Sequence, residues 1–227
     1  MFRMKTEMLV AGVDEAGRGC VVGPLVVAGI AVKAEKLQSL AELGVKDSKL
    51  LTVKKREALY PEIIKLTEKY QIIKLPPAQI DKVVRSSRTL HKLNRLEAQT
   101  MAKIIETLKP DEVFVDAADV IEHRFGNHIS ECLRFTTKII SEHKADRTYP
   151  IVSAASIIAK VERDGEIAKL KIKYGDFGSG YLTDGKTRLF LKRLLDENGD
   201  YPSCIRKSWK PAQKAKSELG TVQKTLI

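Results

Sequence analysis

Asp14-Glu15-Ala16-Gly17-Arg18-Gly19 directly follows the apolar run Leu9-Val10-Ala11-Gly12-Val13. Two adjacent carboxylates at the end of a predicted strand can hold a hard divalent cation. The glycines let backbone N–H groups come close to a ligand, and Arg18 can clamp a phosphate. Together they point to phosphate-ester chemistry. Two further acids sit in comparable places: Asp116 ends the run Val113-Phe114-Val115, and Asp146 follows the apolar segment 135–141 by a few residues. In α/β sheets, ligands gather where strands end, so four carboxylates at three such ends can converge. Crowding them is unfavourable unless cations neutralise them. All-oxygen donors without clustered His or Cys favour Mg²⁺ or Mn²⁺ over zinc. Taken singly, an Asp reads more readily as a cap, a turn residue or a surface charge; for the Asp14-Glu15 pair the two readings are about even. A regular strand sends neighbouring side chains to opposite faces, so Glu15 must stand at a bend if both acids serve one site.

Other chemistries are discounted. Gly17, Gly19 and Gly23 are spaced one residue too long for the dinucleotide fingerprint, and a strand-like run, 25–32, follows instead of a helix. No Gly-Lys-Ser/Thr follows either, which argues against P-loop binding. Ser153-Ala154-Ala155-Ser156 lies near His143 but lacks a Gly-x-Ser-x-Gly frame; small residues at that spacing read as tight helix packing. Tyr181, after Gly180, can stack on a sugar or base or be an ordinary turn tyrosine. Cys20, Cys132 and Cys204 have no zinc or redox spacing, and a reducing, cytoplasmic setting is the simplest reading.

The elements that must position these residues are legible as periodicities. Segments 8–13 and 25–32 read as strands, the second apolar enough to be buried on both faces, with Gly23-Pro24 turning between them. Thr52 caps a helix from Val53, which Pro61 interrupts by a kink or a restart. Strand 70–75 is closed by Pro76-Pro77. Leu93, Leu96, Met101, Ile104, Ile105 and Leu108 lie at helical spacing, so a long helix runs to about Lys109, where Pro110 ends it. Strands 112–116 and 135–141 follow. Pro150 then opens a helix to about Tyr174, Gly175, Gly178 and Gly180 form a loop, and an amphipathic helix spans 184–198 with Gly199 as its C-cap. The expectation is an α/β fold with a mixed sheet, a core over 1–175, and a helical C-terminal subdomain with a basic tail over 176–227.

The chain has 227 residues, enough for one large domain with a small appendage. Lys and Arg number 40 against 29 Asp and Glu, a formal charge of +11 that favours a polyanionic partner, with a solvated lysine-rich surface as the plainer alternative. No apolar run is long enough to span a bilayer, and residues 1–8 form no signal peptide.

With these residues in view, the sequence resembles ribonuclease HII over residues 10–209. The resemblance rests on Asp14-Glu15-Ala16-Gly17-Arg18-Gly19, Asp47-Ser48-Lys49, Asp116-Ala117-Ala118-Asp119 and His143-Lys144-Ala145-Asp146, in that order. Ala154-Ala155-Ser156-Ile157-Ile158-Ala159-Lys160-Val161 with Arg163-Asp164, and Gly178-Ser179-Gly180-Tyr181, complete it. The His-Lys-Ala-Asp form is most similar to the archaeal branch. The resemblance implies an RNase H-like mixed five-stranded sheet flanked by helices, with a helical C-terminal subdomain. It implies endonucleolytic cleavage of RNA paired to DNA, including single ribonucleotides in a DNA duplex, by two-metal hydrolysis giving 5′-phosphate and 3′-hydroxyl ends. Asp14, Glu15, Asp116 and Asp146 would be the metal-site acids. Gly17, Arg18 and Gly19 would contact the 2′-hydroxyl side of the junction, and Tyr181 the sugar on the DNA side. Lys49, Lys144 and Lys160 would contact phosphates. Leu50 and Leu182 depart from the pattern, where a second lysine and a proline are common. The alternatives are a ribonuclease HIII-like nuclease and a protein that binds hybrids without cutting them. A monomer without membrane association is expected. The tail 221–227 begins a glutamine pattern but lacks paired aromatics, so it gives no support to a sliding-clamp partner.

Overall fold

The computed structural model describes residues 7–45, 50–86 and 92–225. The elements run β1 (Leu9–Ala16), β2 (Leu25–Lys33), a 3-10 turn (Ala34–Lys36), α1 (Leu37–Glu42), α2 (Val53–Leu66), β3 (Lys69–Leu75), α3 (Pro77–Arg85) and α4 (Lys92–Leu108). They continue with β4 (Glu112–Asp116), α5 (Glu122–Ser130), β5 (Lys138–Glu142), α6 (Ala145–Thr148), α7 (Pro150–Tyr174), α8 (Gly185–Asn198) and α9 (Lys210–Thr225). The five strands form one mixed sheet in the order β3-β2-β1-β4-β5. β1 is antiparallel to β2 and parallel to β4, and β4 is parallel to β5. Among the described residues no helix is long and apolar enough to cross a membrane.

The chain divides into two units. The first comprises Met1–Ala16, Val26–Lys74 and His91–Glu162. Its strand β2 is apolar at nearly every position because helices cover both faces. On one face Ala28, Ile30 and Val32 pack with Leu59 and Ile63 of α2 and with Ile157 and Ile158 of α7. On the other, Gly29 lies against Ile104 and Leu108 of α4. Thr52 caps α2 by accepting from the Lys55 N–H at 3.3 Å. Pro61 does not restart that helix, which continues through it to Leu66. Pro61 is exposed, so the carbonyl it leaves without an intrahelical donor can turn to water. β5 starts three residues later than its apolar run, because Cys132 and Leu133 still donate to Ile129 and Ser130 in the turn closing α5.

The second unit comprises Gly17–Leu25, Leu75–Leu90 and Arg163–Ile227. Val21, Val22, Phe177, Phe190, Leu194 and Ile205 are buried in its core, where the Phe177 and Phe190 rings stack at 5.0 Å. Pro77, expected to close a strand, opens α3 near its N-terminus, where its missing N–H costs nothing. Asp184 caps α8, and Gly199 ends it with φ +67°.

Candidate active site

The first unit carries the acids. The parallel register pairs Gly12 with Phe114 and Val13 with Val115. Asp14 and Asp116 lie two residues beyond the Gly12–Phe114 pair. Side chains recur on one face every second residue, so both carboxylates leave the sheet on the face that Phe114 shares with α7. In the same register Asp116 pairs with Glu142 of β5. The Asp116 Oδ1 accepts the N–H of Ala145 at 3.0 Å, which puts the next residue, buried Asp146, beside it.

Helix α7 covers this row. A Cβ at Gly12 would stand 2.4 Å from the Ile151 carbonyl oxygen and 2.7 Å from the Val152 nitrogen, so the helix rests directly on the β1 backbone. From Val152 to Ser156 is about 6 Å of helix, and from Gly12 to Asp14 about 6.6 Å of strand. The two elements therefore stay in step, and Ser156 arrives over Asp14 and hydrogen-bonds its carboxylate. Lys160, one turn on, donates to the Ser156 hydroxyl. Asp14 is also bonded by the N–H of Glu15, at 2.7 Å to Oδ1. Burial pushes the Asp14 carboxyl up to about 7; the Lys160 charge opposes that rise and Asp116 adds to it.

Glu15 follows Asp14 on β1. The ladder to β2 continues through Glu15–Val27 and Ala16–Val26, so β1 has no bulge at Glu15. The pleat sends its side chain to the face opposite Asp14. Pairing with β4 stops at Val13, so a side chain at position 15 can reach the acids around that open strand edge. Among the described residues no three His, Cys, Asp or Glu side chains gather closely enough to cage a cation by themselves. Lys144 is exposed and holds φ +58° just before α6. Lys49 lies outside the described residues.

The second unit carries Gly17, Arg18, Gly19 and Tyr181. The Cys20 N–H returns to the Gly17 carbonyl at 3.4 Å, closing a turn whose central residues are Arg18 and Gly19. Gly17 has φ +87°, and a Cβ there would meet the Pro24 carbonyl at 2.8 Å. A Cβ at Gly19 would lie 3.7 Å from the Tyr181 ring. Arg163 stacks over that ring, 5.0 Å from its centroid, and donates to the Ser179 carbonyl at 2.7 Å. Burial raises the Tyr181 phenol, with Arg163 pulling the other way. Asp184 braces the tyrosine loop by accepting the Ser179 N–H at 2.7 Å while it caps α8.

Sequence reasoning read Ser156 as tight helix packing and did not single out Arg206; both are partners of these residues. The four-residue spacing of Ser156 and Lys160 was the one available signal for the serine. Arg206 gave none.

A family model described as Ribonuclease HII matches residues 11–212. The chain belongs to the ribonuclease HII family. It is 44% identical over 221 residues to Ribonuclease HII of Pyrococcus abyssi, covering 96% of each chain. The crystal structure of ribonuclease H2 from Pyrococcus horikoshii superposes with a TM-score of 0.85 at 43% identity, covering 93% of this chain and 98% of that one. The ribonuclease HII of Archaeoglobus fulgidus, solved as a PCNA:RNase HII complex, gives 0.81 at 45%, covering 89% and 96%. That clamp complex is a property of the Archaeoglobus protein; residues 226–227, which end the glutamine pattern here, lie outside the described residues. Membership in the ribonuclease HII family over nearly the whole chain makes the protein a ribonuclease H enzyme and decides against the ribonuclease HIII alternative.

Proposed function

We propose that the protein cleaves the RNA strand of RNA/DNA hybrids and cuts beside single ribonucleotides in duplex DNA, leaving 5′-phosphate and 3′-hydroxyl ends. The observation that carries this is the sharing of one sheet face by Asp14 and Asp116, with Asp146 alongside, in a ribonuclease HII chain. The acids fit Mg²⁺ or Mn²⁺. Their donors are all oxygen, and ionisation of Asp14 is opposed by burial and by Asp116, a conflict that a divalent cation relieves. Asp14, Asp116 and Asp146 would hold such ions, with Glu15 reaching in from the open edge of β1. Bound there, two ions supply an activated water and counter-charge for the leaving 3′-oxygen.

Ser156 and Lys160 hold the Asp14 carboxylate in one orientation and supply positive charge beside it. Lys160 and exposed Lys144 would meet backbone phosphates. In the second unit, Gly17, Arg18 and Gly19 read the ribose, whose 2′-hydroxyl distinguishes RNA from DNA at a single nucleotide. Tyr181, stiffened by Arg163, packs on the neighbouring sugar. The charge of +11 supports a polyanionic substrate held partly by counterion release.

The test is a DNA duplex holding one ribonucleotide, incubated with Mg²⁺ or Mn²⁺, with analysis of the ends. The expected cut lies on the 5′ side of the ribonucleotide and leaves a 5′-phosphate on it. Asp116→Asn should bind the duplex within a few-fold of the wild type but lose cleavage by on the order of 100-fold or more. Cutting on the other side, no cutting, or substantial cutting by Asp116→Asn each overturns the reading.

A further inference from the structure

Arg206 is completely buried, with 0% of its surface exposed, although an arginine side chain is rarely fully enclosed. Its guanidinium lies in the second unit among the carbonyls of the recognition turn. Nη2 donates to the Gly17 carbonyl at 2.7 Å, Nη1 to the Arg18 carbonyl at 2.7 Å, and Nε to the Gly23 carbonyl at 3.3 Å. Nη2 also lies 3.3 Å from the Cys20 sulfur, and the Cys20 thiol in turn donates to the Gly17 carbonyl at 2.9 Å. The Trp209 ring backs the guanidinium at 5.0 Å. The backbone holds Arg206 in place, since its own N–H bonds the Val21 carbonyl at 2.9 Å, and the Gly23 N–H bonds the Cys204 carbonyl at 2.9 Å.

A trans peptide points its C=O and its N–H in opposite directions. Drawing the Gly17 and Arg18 carbonyls onto Arg206 therefore turns the N–H groups of Arg18 and Gly19 away from it. Gly17 is buried and Gly19 exposed. We infer that Arg206 is a positioning residue for ribose discrimination: its planar fork fixes the Gly17–Cys20 turn so that the Arg18 and Gly19 amides face the 2′-hydroxyl. This rests on the proposed reading of the ribose by residues 17–19. Lysine supplies the same charge but not the fork geometry, so the two sources of an effect are separable.

The experiment measures binding to two duplexes that differ by one 2′-hydroxyl, by fluorescence anisotropy in EDTA, for the wild type, Arg206→Lys and Phe177→Leu. The wild type should prefer the ribonucleotide duplex. Arg206→Lys should shrink that preference roughly three- to tenfold, the worth of about one hydrogen bond, with similar affinity for the all-deoxy duplex. Phe177→Leu, a core change in the same unit, should lower Tm and leave the ratio alone. A wild type with no preference defeats the ribose reading itself. A wild-type preference that Arg206→Lys retains, or that Phe177→Leu loses equally, defeats the role of Arg206. The wild type also gives a reading that needs no variant. In ¹⁵N-arginine NMR the Arg206 Nε–H signal should shift on adding the ribonucleotide duplex and shift less with its all-deoxy counterpart. Identical shifts overturn the inference.

Discussion

Asp14→Asn should make the metal-free protein more stable at neutral and alkaline pH while abolishing catalysis. Burial raises the Asp14 carboxyl from its ordinary 3.8 to about 7. A folded-state value above the unfolded one gives stability that is complete below pH 3.8 and lost as pH rises through 7. The difference is close to three pH units, so ionising Asp14 in the folded protein costs at most about 4 kcal/mol by pH 8. About 2–3 kcal/mol of that develops between pH 5 and pH 8. Asparagine has no charge to desolvate, and its amide oxygen can still accept the Glu15 N–H. The assay is urea unfolding of both proteins in EDTA at constant ionic strength, from pH 5 to pH 8. The variant's advantage should grow with pH across that window. Adding Mg²⁺ at pH 8 should return stability to the wild type, by mass action on the folded state, and less to the variant. Parallel pH profiles for the two proteins would refute the claim that this acid is held at an energetic cost.

Gly29→Ala should destabilise by about 1–3 kcal/mol through overpacking, because its Cβ would meet Ile104 Cγ2 at 2.4 Å and both Leu108 and Val13 at 3.2 Å. Urea titration measures this, and activity per folded molecule should hold because α4 covers the face opposite Asp14. Asp119→Ala should cost about 3 kcal/mol, since buried Asp119 accepts from Arg124, from Asn94 at 3.0 Å and from the Ile121 N–H at 3.0 Å. The Arg124 hydrogen bond holds the Asp119 carboxyl well below the usual range, so its contribution persists above pH 3.8 and disappears only in acid; acid titration of the two proteins should converge there. Tyr181→Ala should lower kcat/KM at a single-ribonucleotide junction by roughly tenfold, the worth of a stacked ring, and lower it less on a uniform hybrid; equal losses would count against a junction role.

What the sequence exposed was local. β1, β2, β4 and α7 carry strong apolar patterns, and their ends place Asp14, Asp116 and the small-residue face of α7 where the structure has them. Helix α5 was not legible because only Phe125 and Ile129 are buried in it, two positions among glycine, histidines and other polar residues. Pro76-Pro77 marked the end of β3 at Leu75 as expected, but not the start of α3 at Pro77, since a proline that closes one element can open the next. The Asp14–Glu15 pair invited the expectation of a bend, yet the β2 ladder stays in register through Ala16. The pairings made by Ser156 and Arg206 were not legible for a different reason. Ser156 lies 142 residues after Asp14, and Arg206 lies 188 residues after Arg18. No periodicity links residues that only the tertiary fold brings together.

The contact between Gly12 and the start of α7 has a consequence for tolerance to change. Where side chains separate helix from sheet, a substitution can be absorbed by a new rotamer. At Gly12 backbone meets backbone, and neither surface has a torsion to spare. Small shifts accumulated in α2 or α4 can therefore spread through the rest of the core without altering the spacing of Asp14 from Ser156. The point of least adjustability lies one strand repeat from Asp14, so the protein can drift in its packing while Asp14 keeps a fixed distance from α7.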